Sequence, residues 1–161
     1  MLSRLFPKQV DNRFEGYRPA LWLLGLLIAV KLIMSVNSIL NTEKIAAGAD
    51  GIPLDSFGPE AAREVLLLFA LMALGHLFLE LVALAVLIRY RALVPFIYLV
   101  LLGEHLARRF IVPSYAAPGA ESSAIALTIS YGLLTLLVLG LLLSIIPVRR
   151  GQRSLSEGDL T

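Results

Sequence analysis

Apolar residues along this chain fall into four long blocks separated by short polar stretches, not into the half-polar periodic segments of a soluble helical domain. The blocks cover residues 20–40, 62–88, 92–112 and 124–147. Each approaches the ~20 residues that a helix rising ~1.5 Å per residue needs to cross ~30 Å of hydrocarbon. The pattern predicts an all-α fold, a polytopic membrane four-helix bundle. Arg89, Tyr90 and Arg91 leave so short a turn that the second and third spans must form an antiparallel hairpin. Pro95 falls in the first turn of the third span, where a missing N–H costs least. Pro113 and Pro147 are expected to stop the third and fourth.

Composition supports the membrane reading. Of 161 residues, 58% are hydrophobic and 16% charged, with a mean hydropathy of +0.81, a surplus of apolar surface that lipid would cover. The organisation expected is a cytoplasmic N-terminal segment (1–19), the transmembrane domain (20–147) and a cytoplasmic tail (148–161) whose last part, 151–161, has the composition of a disordered segment. The N-terminal segment is too long and too charged for the leader of a signal peptide. Its Leu2, Leu5, Phe6, Val10 and Phe14 among Arg4, Lys8, Arg13 and Arg18 would suit the headgroup layer, although Pro7 interrupts a helix there.

Basic residues set the orientation, because translocating Lys and Arg is disfavoured. With the N-terminus inside, the cytoplasmic side carries Arg4, Lys8, Arg13, Arg18, Arg89, Arg91, Arg149, Arg150 and Arg153, against Lys44, Arg63, Arg108 and Arg109 outside. The expected topology is N-in/C-in. The outer loop 41–61 has the turn signals Asp50-Gly51 and Gly58-Pro59, with Ile52, Leu54 and Phe57 available to pack it onto the helix ends. With no cysteine, disulfides, thiolate metal sites and cysteine nucleophiles are excluded. The net charge of +2 and its distribution by membrane side give no nucleic-acid reading.

Ionisable groups inside a span are costly and call for a functional hypothesis. The candidates are Lys31 on the first span, His76 and Glu80 on the second, and Glu104, His105, Arg108 and Arg109 on the third. Counting residues from each span's middle puts Lys31 and His76 near the midplane, Glu80 a few Å to the cytoplasmic side, and Glu104 and His105 a few Å outward. Lys31, His76, Glu80, Glu104 and His105 are therefore the candidate ligand or proton cluster. A Lys31–Glu80 or Lys31–Glu104 pair is expected between helices, with Glu104 and Arg108 paired at i, i+4. The structural alternative is that such pairs only fix helix register. Arg108 and Arg109 lie close enough to the outer interface to snorkel, or to offer an outer-side anion contact. Thr128, Tyr131 and Thr135 make a mildly polar stripe on the fourth span, read as completing the bundle. Ser35, Asn37 and Ser38 add hydrogen-bonding groups to the first, and Gly25, Gly75 and Gly132 give room for close helix approach.

Several chemistries fit these residues. Two histidines on neighbouring helices offer axial nitrogens for haem, and His76 with Glu80 is compatible with a quinone. Metal sites of the multi-histidine kind are not expected. A lysine exchanging between two carboxylates would serve a proton-coupled small transporter, which at this size would act as a dimer. No nucleophile elbow or metalloprotease signature is present, so an enzyme is not the leading reading. That reading is an accessory or small-ligand-binding membrane subunit, whose partners are the lipid bilayer, a second copy or another membrane protein.

The short basic turn "IRYRALVP" at 88–95, the outer loop "ADGIPLDSFGPEAA" at 49–62 and the stretch "KLIMSVNSILNT" at 31–42 resemble, together with the four-span layout, the small bacterial inner-membrane proteins grouped around the DoxX family. The resemblance implies a bacterial inner membrane location. Some DoxX relatives are associated with quinone-linked sulfur oxidation, but no catalytic residue set carries over to this sequence.

Overall fold

The structure, a computed structural model, describes residues 5, 7, 9–115 and 123–146, without the side chains of 112 and 113. The remaining residues include Arg4, Lys8 and the 148–161 tail, so the expectations for those positions lie outside the described residues. The protein is all-helical. The helices bounded within the described residues are α1 (Pro19–Leu40), α2 (Thr42–Gly48), α3 (Pro59–Arg89), α4 (Val94–Tyr115) and α5 (Ala124–Ile145), with single 3-10 turns at Leu54–Ser56 and Arg91–Leu93. Three of them, α1, α3 and α5, are long and apolar enough to cross a membrane. The fourth long helix, α4, is not among these, and it carries Glu104, Arg108 and Arg109.

Local chemistry explains the helix ends. Pro19 and Pro59 open α1 and α3 at positions where a proline's missing N–H would be unpaired in any case. Glu60 in the first turn of α3 complements the helix dipole, so α3 starts three residues earlier than its apolar block. Ser123 caps α5, its hydroxyl accepting from the Ala126 N–H at 3.2 Å. The α5 helix ends at Ile145, and Ile146 is extended, as a residue preceding proline prefers. Two expectations fail. The α4 helix runs past Pro113 to Tyr115, because a proline in the last turn forgoes only one backbone bond. The outer loop also contains a helix, α2, built from the good helix formers Glu43, Lys44, Ala46 and Ala47, with Ala46 fully buried. Gly51 takes the left-handed conformation (φ 69°) that the Asp-Gly turn requires.

The α1 helix packs against both α3 and α5, and α4 packs chiefly on α5. The buried core between them holds Ala20, Leu24, Leu27 and Ile28 of α1, Ala83 and Val86 of α3, Val94, Ile97, Tyr98 and Leu101 of α4, and Leu133 and Leu137 of α5. Tyr98 ties three helices together. Its hydroxyl donates to the Ala20 carbonyl at 2.7 Å and its ring lies directly on Gly140, where no Cβ would fit. Gly25 sits against Leu87, whereas Gly75 and Gly132 border open space and permit no close approach within the bundle.

The two ends of the bundle differ. At one end the N-terminal segment folds across as a strap: the Ala92 N–H donates to the Asp11 carbonyl (3.2 Å) and the Tyr17 N–H to the Leu143 carbonyl (3.1 Å), with Phe14 against the core. At the other, α2 and the loop that follows it meet the start of α5, where the Ser123 N–H donates to the Ala49 carbonyl at 3.3 Å.

Candidate functional site

Four of the five candidate cluster residues come together about halfway along the bundle. Lys31, 9% exposed, projects from α1 between two carboxylates. Its Nζ donates to Glu104 Oε2 of α4 at 3.1 Å and lies 3.1 Å from Glu80 Oε1 of α3. Both alternatives for its ion pair therefore form at once. Glu80 is wholly buried. Its Oε1 meets the ammonium by proximity but out of line for a hydrogen bond, and its Oε2 has no hydrogen-bond partner among the described residues. Glu104 turns its other oxygen, Oε1, to the Nε2–H of His76, 2.9 Å away, so one carboxylate links α1, α3 and α4.

Helix geometry accounts for who joins. His76 and Glu80 are four residues apart and share a face of α3. Neighbouring residues on a helix diverge by about 100°, so Glu104 turns to the cluster while His105 turns to α5. There His105 Nε2 lies 3.3 Å from the Ser130 hydroxyl.

The outer-side arginines do not converge. Arg108 lies 3.8 Å from Asp50 and not in the expected pair with Glu104, whose oxygens are engaged by Lys31 and His76. Arg109 bonds the Tyr131 hydroxyl and stacks over its ring, 4.1 Å from the centroid. The Thr128, Tyr131 and Thr135 stripe is exposed and does not complete the core. Both threonine hydroxyls bond carbonyls of their own helix, at Ala124 and Tyr131. Asn37 Oδ1 accepts from Asn41 Nδ2 at 2.7 Å, and Ser35, one turn beyond Lys31, is buried.

Among the described residues no three His, Asp or Glu side chains converge on a point a metal could occupy. The two histidines address different helices through their Nε2 atoms, so axial ligation of a haem through those nitrogens would break both contacts. Sequence reasoning missed Tyr98, Gly140, Ser130 and the Asp50 partner of Arg108. An open groove of about 630 Å³, lined by Leu40, Asn41, Thr42, Glu43, Lys44, Ala47 and Leu66, lies at the α2 end, away from the cluster. Comparison with protein-family models, with curated proteins and with solved structures found no match to this chain.

Proposed function

We propose that this chain is a four-span helical protein of the bacterial inner membrane, N-in/C-in and DoxX-like in layout, whose interior cluster binds and releases one proton. Exposed apolar side chains along the helices, including Leu26 and Ile33 of α1, Leu68 and Phe78 of α3 and Leu139 of α5, support a lipid-facing surface. The inclusion of α4 among the spans is supported by its 22 residues and by its ionic groups, of which Glu104 turns inward and Arg108 and Arg109 lie near one end. Arg13, Arg18, Arg89 and Arg91 sit at the strap end, which the charge rule assigns to the cytoplasm.

One observation carries the functional reading. A single ammonium stands between two carboxylates, and neither oxygen of the more deeply buried one has a hydrogen-bond partner among the described residues. With His76 neutral, the group holds one negative charge in excess, and an uncompensated charge in a dry interior costs several kcal/mol. One proton on a carboxyl cancels it. Because Lys31 already touches both carboxylates, moving that proton between them requires only a change in which one the ammonium favours. Such a site suits a proton-responsive membrane subunit, including a proton-coupled small transporter acting as a dimer. A small-ligand role is favoured by a separate feature, the open groove at the α2 end, whose Glu43 and Lys44 offer both charges to a polar molecule.

The test is an infrared pH titration of the protein in lipid nanodiscs. The expected result is one interior carboxyl per chain changing protonation, with its band lost or displaced in Glu80→Gln or Glu104→Gln. A spectrum with no interior carboxyl titrating while the protein stays folded overturns the reading.

A further inference from the structure

Polar groups are not spread evenly about the cluster. Toward the strap end, the space between the helices is filled by Leu24, Leu27 and Ile28, Ala83 and Val86, Val94, Ile97 and Leu101, and Leu133 and Leu137. Among the described residues the two buried hydroxyls on that side are already committed, Tyr98 to the Ala20 carbonyl and Ser144 to the Leu141 carbonyl. From Lys31 to Ala20 this apolar plug is about 16 Å deep at ~1.5 Å per residue. The strap then closes it, with Phe14 on the core and Gly16 pressed on the Ser144 carbonyl.

Toward the α2 end the buried apolar residues are fewer, Ala73 and Phe69 of α3 and Ala46 of α2, and polar groups accompany them. Each helix that meets the cluster carries a polar side chain about one turn further out: Ser35 beyond Lys31, His76 beyond Glu80, and Arg108 beyond Glu104. His105 and Ser130 add a fourth contact on the α5 side, and Asp50 reaches Arg108 from the loop. The side chains of Glu104 and His76 are 22% and 19% exposed, whereas Glu80 is closed off completely. The groups facing Glu80 are Lys31 from α1, Glu104 from α4 and His76 on its own helix, and α5 bears no charge.

From this asymmetry, and resting on the proton-binding reading above, we infer that the cluster exchanges its proton with one side of the membrane only, the side of α2. Water and protons cross an apolar plug poorly, because nothing in it replaces the hydrogen bonds they lose. On the other side a proton passes from the loop region to Glu104 or His76 and then, past Lys31, to the open oxygen of Glu80. With the strap end cytoplasmic, as proposed above, the cluster is an outward-facing proton site that reports the acidity of one compartment.

The chain has no cysteine, so Asp55→Cys on the exposed loop gives a single thiol whose reaction with an impermeant reagent sorts vesicles by orientation. In phosphatidylcholine vesicles, the pH is stepped on one side while the interior carboxyl band is followed. The expected response to a step on the side of the thiol-bearing loop is at least about tenfold faster than to a step on the strap side, a difference set by the barrier of the plug. Leu101→Asn, which puts an amide into the plug, should shrink that ratio. Equal rates from both sides, or a faster response from the strap side, overturn the one-sided access while leaving the proton site standing. A band that responds to neither side, nor to pH in detergent, overturns the proton site itself. If Glu80→Gln fails to fold, Glu104→Gln supplies the band assignment.

Discussion

Replacing Lys31 by Met tests the cluster most directly. Methionine keeps the length and the apolar stem but removes the ammonium from between Glu80 and Glu104, each 3.1 Å away. Glu104 retains its bond to His76, whereas Glu80, wholly buried, loses the one group that faces it at ion-pair distance. Removing one partner of a buried pair typically costs about 3–5 kcal/mol, most of it the penalty of the charge left behind. Polar contacts between helices in a bilayer are worth less, about 0.6–2 kcal/mol, because the unfolded chain in lipid also finds partners. Taking both into account, Lys31→Met should lower the unfolding free energy by about 3 kcal/mol. The double variant Lys31→Met with Glu80→Gln removes the orphaned charge and should recover at least about 1 kcal/mol. Equilibrium unfolding in mixed micelles with increasing sodium dodecyl sulfate, followed by the helical circular dichroism signal, measures both. If Lys31→Met lies within about 0.5 kcal/mol of the parent, or if the double variant is no better than the single, the ammonium does not neutralise Glu80 and the cluster reasoning fails.

The same unfolding assay checks three further expectations. Tyr98→Phe removes the bond to the Ala20 carbonyl and should cost about 1 kcal/mol, since that carbonyl keeps its place in the α1 ladder. Gly140→Ala drives a methyl into the Tyr98 ring and should cost about 1–3 kcal/mol, an effect much reduced when Tyr98 is shortened to Leu in the same chain. Asp50→Asn should change stability by less than about 1 kcal/mol, because the Arg108 pair is 3.8 Å long and about 40% exposed on the arginine side. A larger loss there would mean that the loop is anchored through Asp50.

What the sequence makes legible follows from the kind of regularity each feature has. Helix positions are set by runs of apolar residues, and depth follows from counting along them, so Lys31, Glu80, Glu104 and His76 come to within a few Å of the midplane before any packing is known. Rotation about each helix axis is a different matter. The α5 helix is apolar nearly all round, so its sequence does not say which side faces α1. Its mildly polar stripe of Thr128, Tyr131 and Thr135 looks like an inward face and lies on the exposed one. Tyr98 is hidden for a related reason. It stands in an apolar block as one aromatic among several, its hydrogen-bond partner is a backbone carbonyl 78 residues earlier, and the seat for its ring is a glycine on another helix. Backbone partners leave no mark in a residue pattern. The α2 helix is masked by the glycines and prolines after it, which suggest turns along the whole loop although 42–48 holds good helix formers. Charge is thus the most legible feature in an apolar chain, because each ionic group is rare and must find a partner at its own depth. The dry side of the cluster, where all partners are apolar or main-chain, emerges only once the helices are rotated into place.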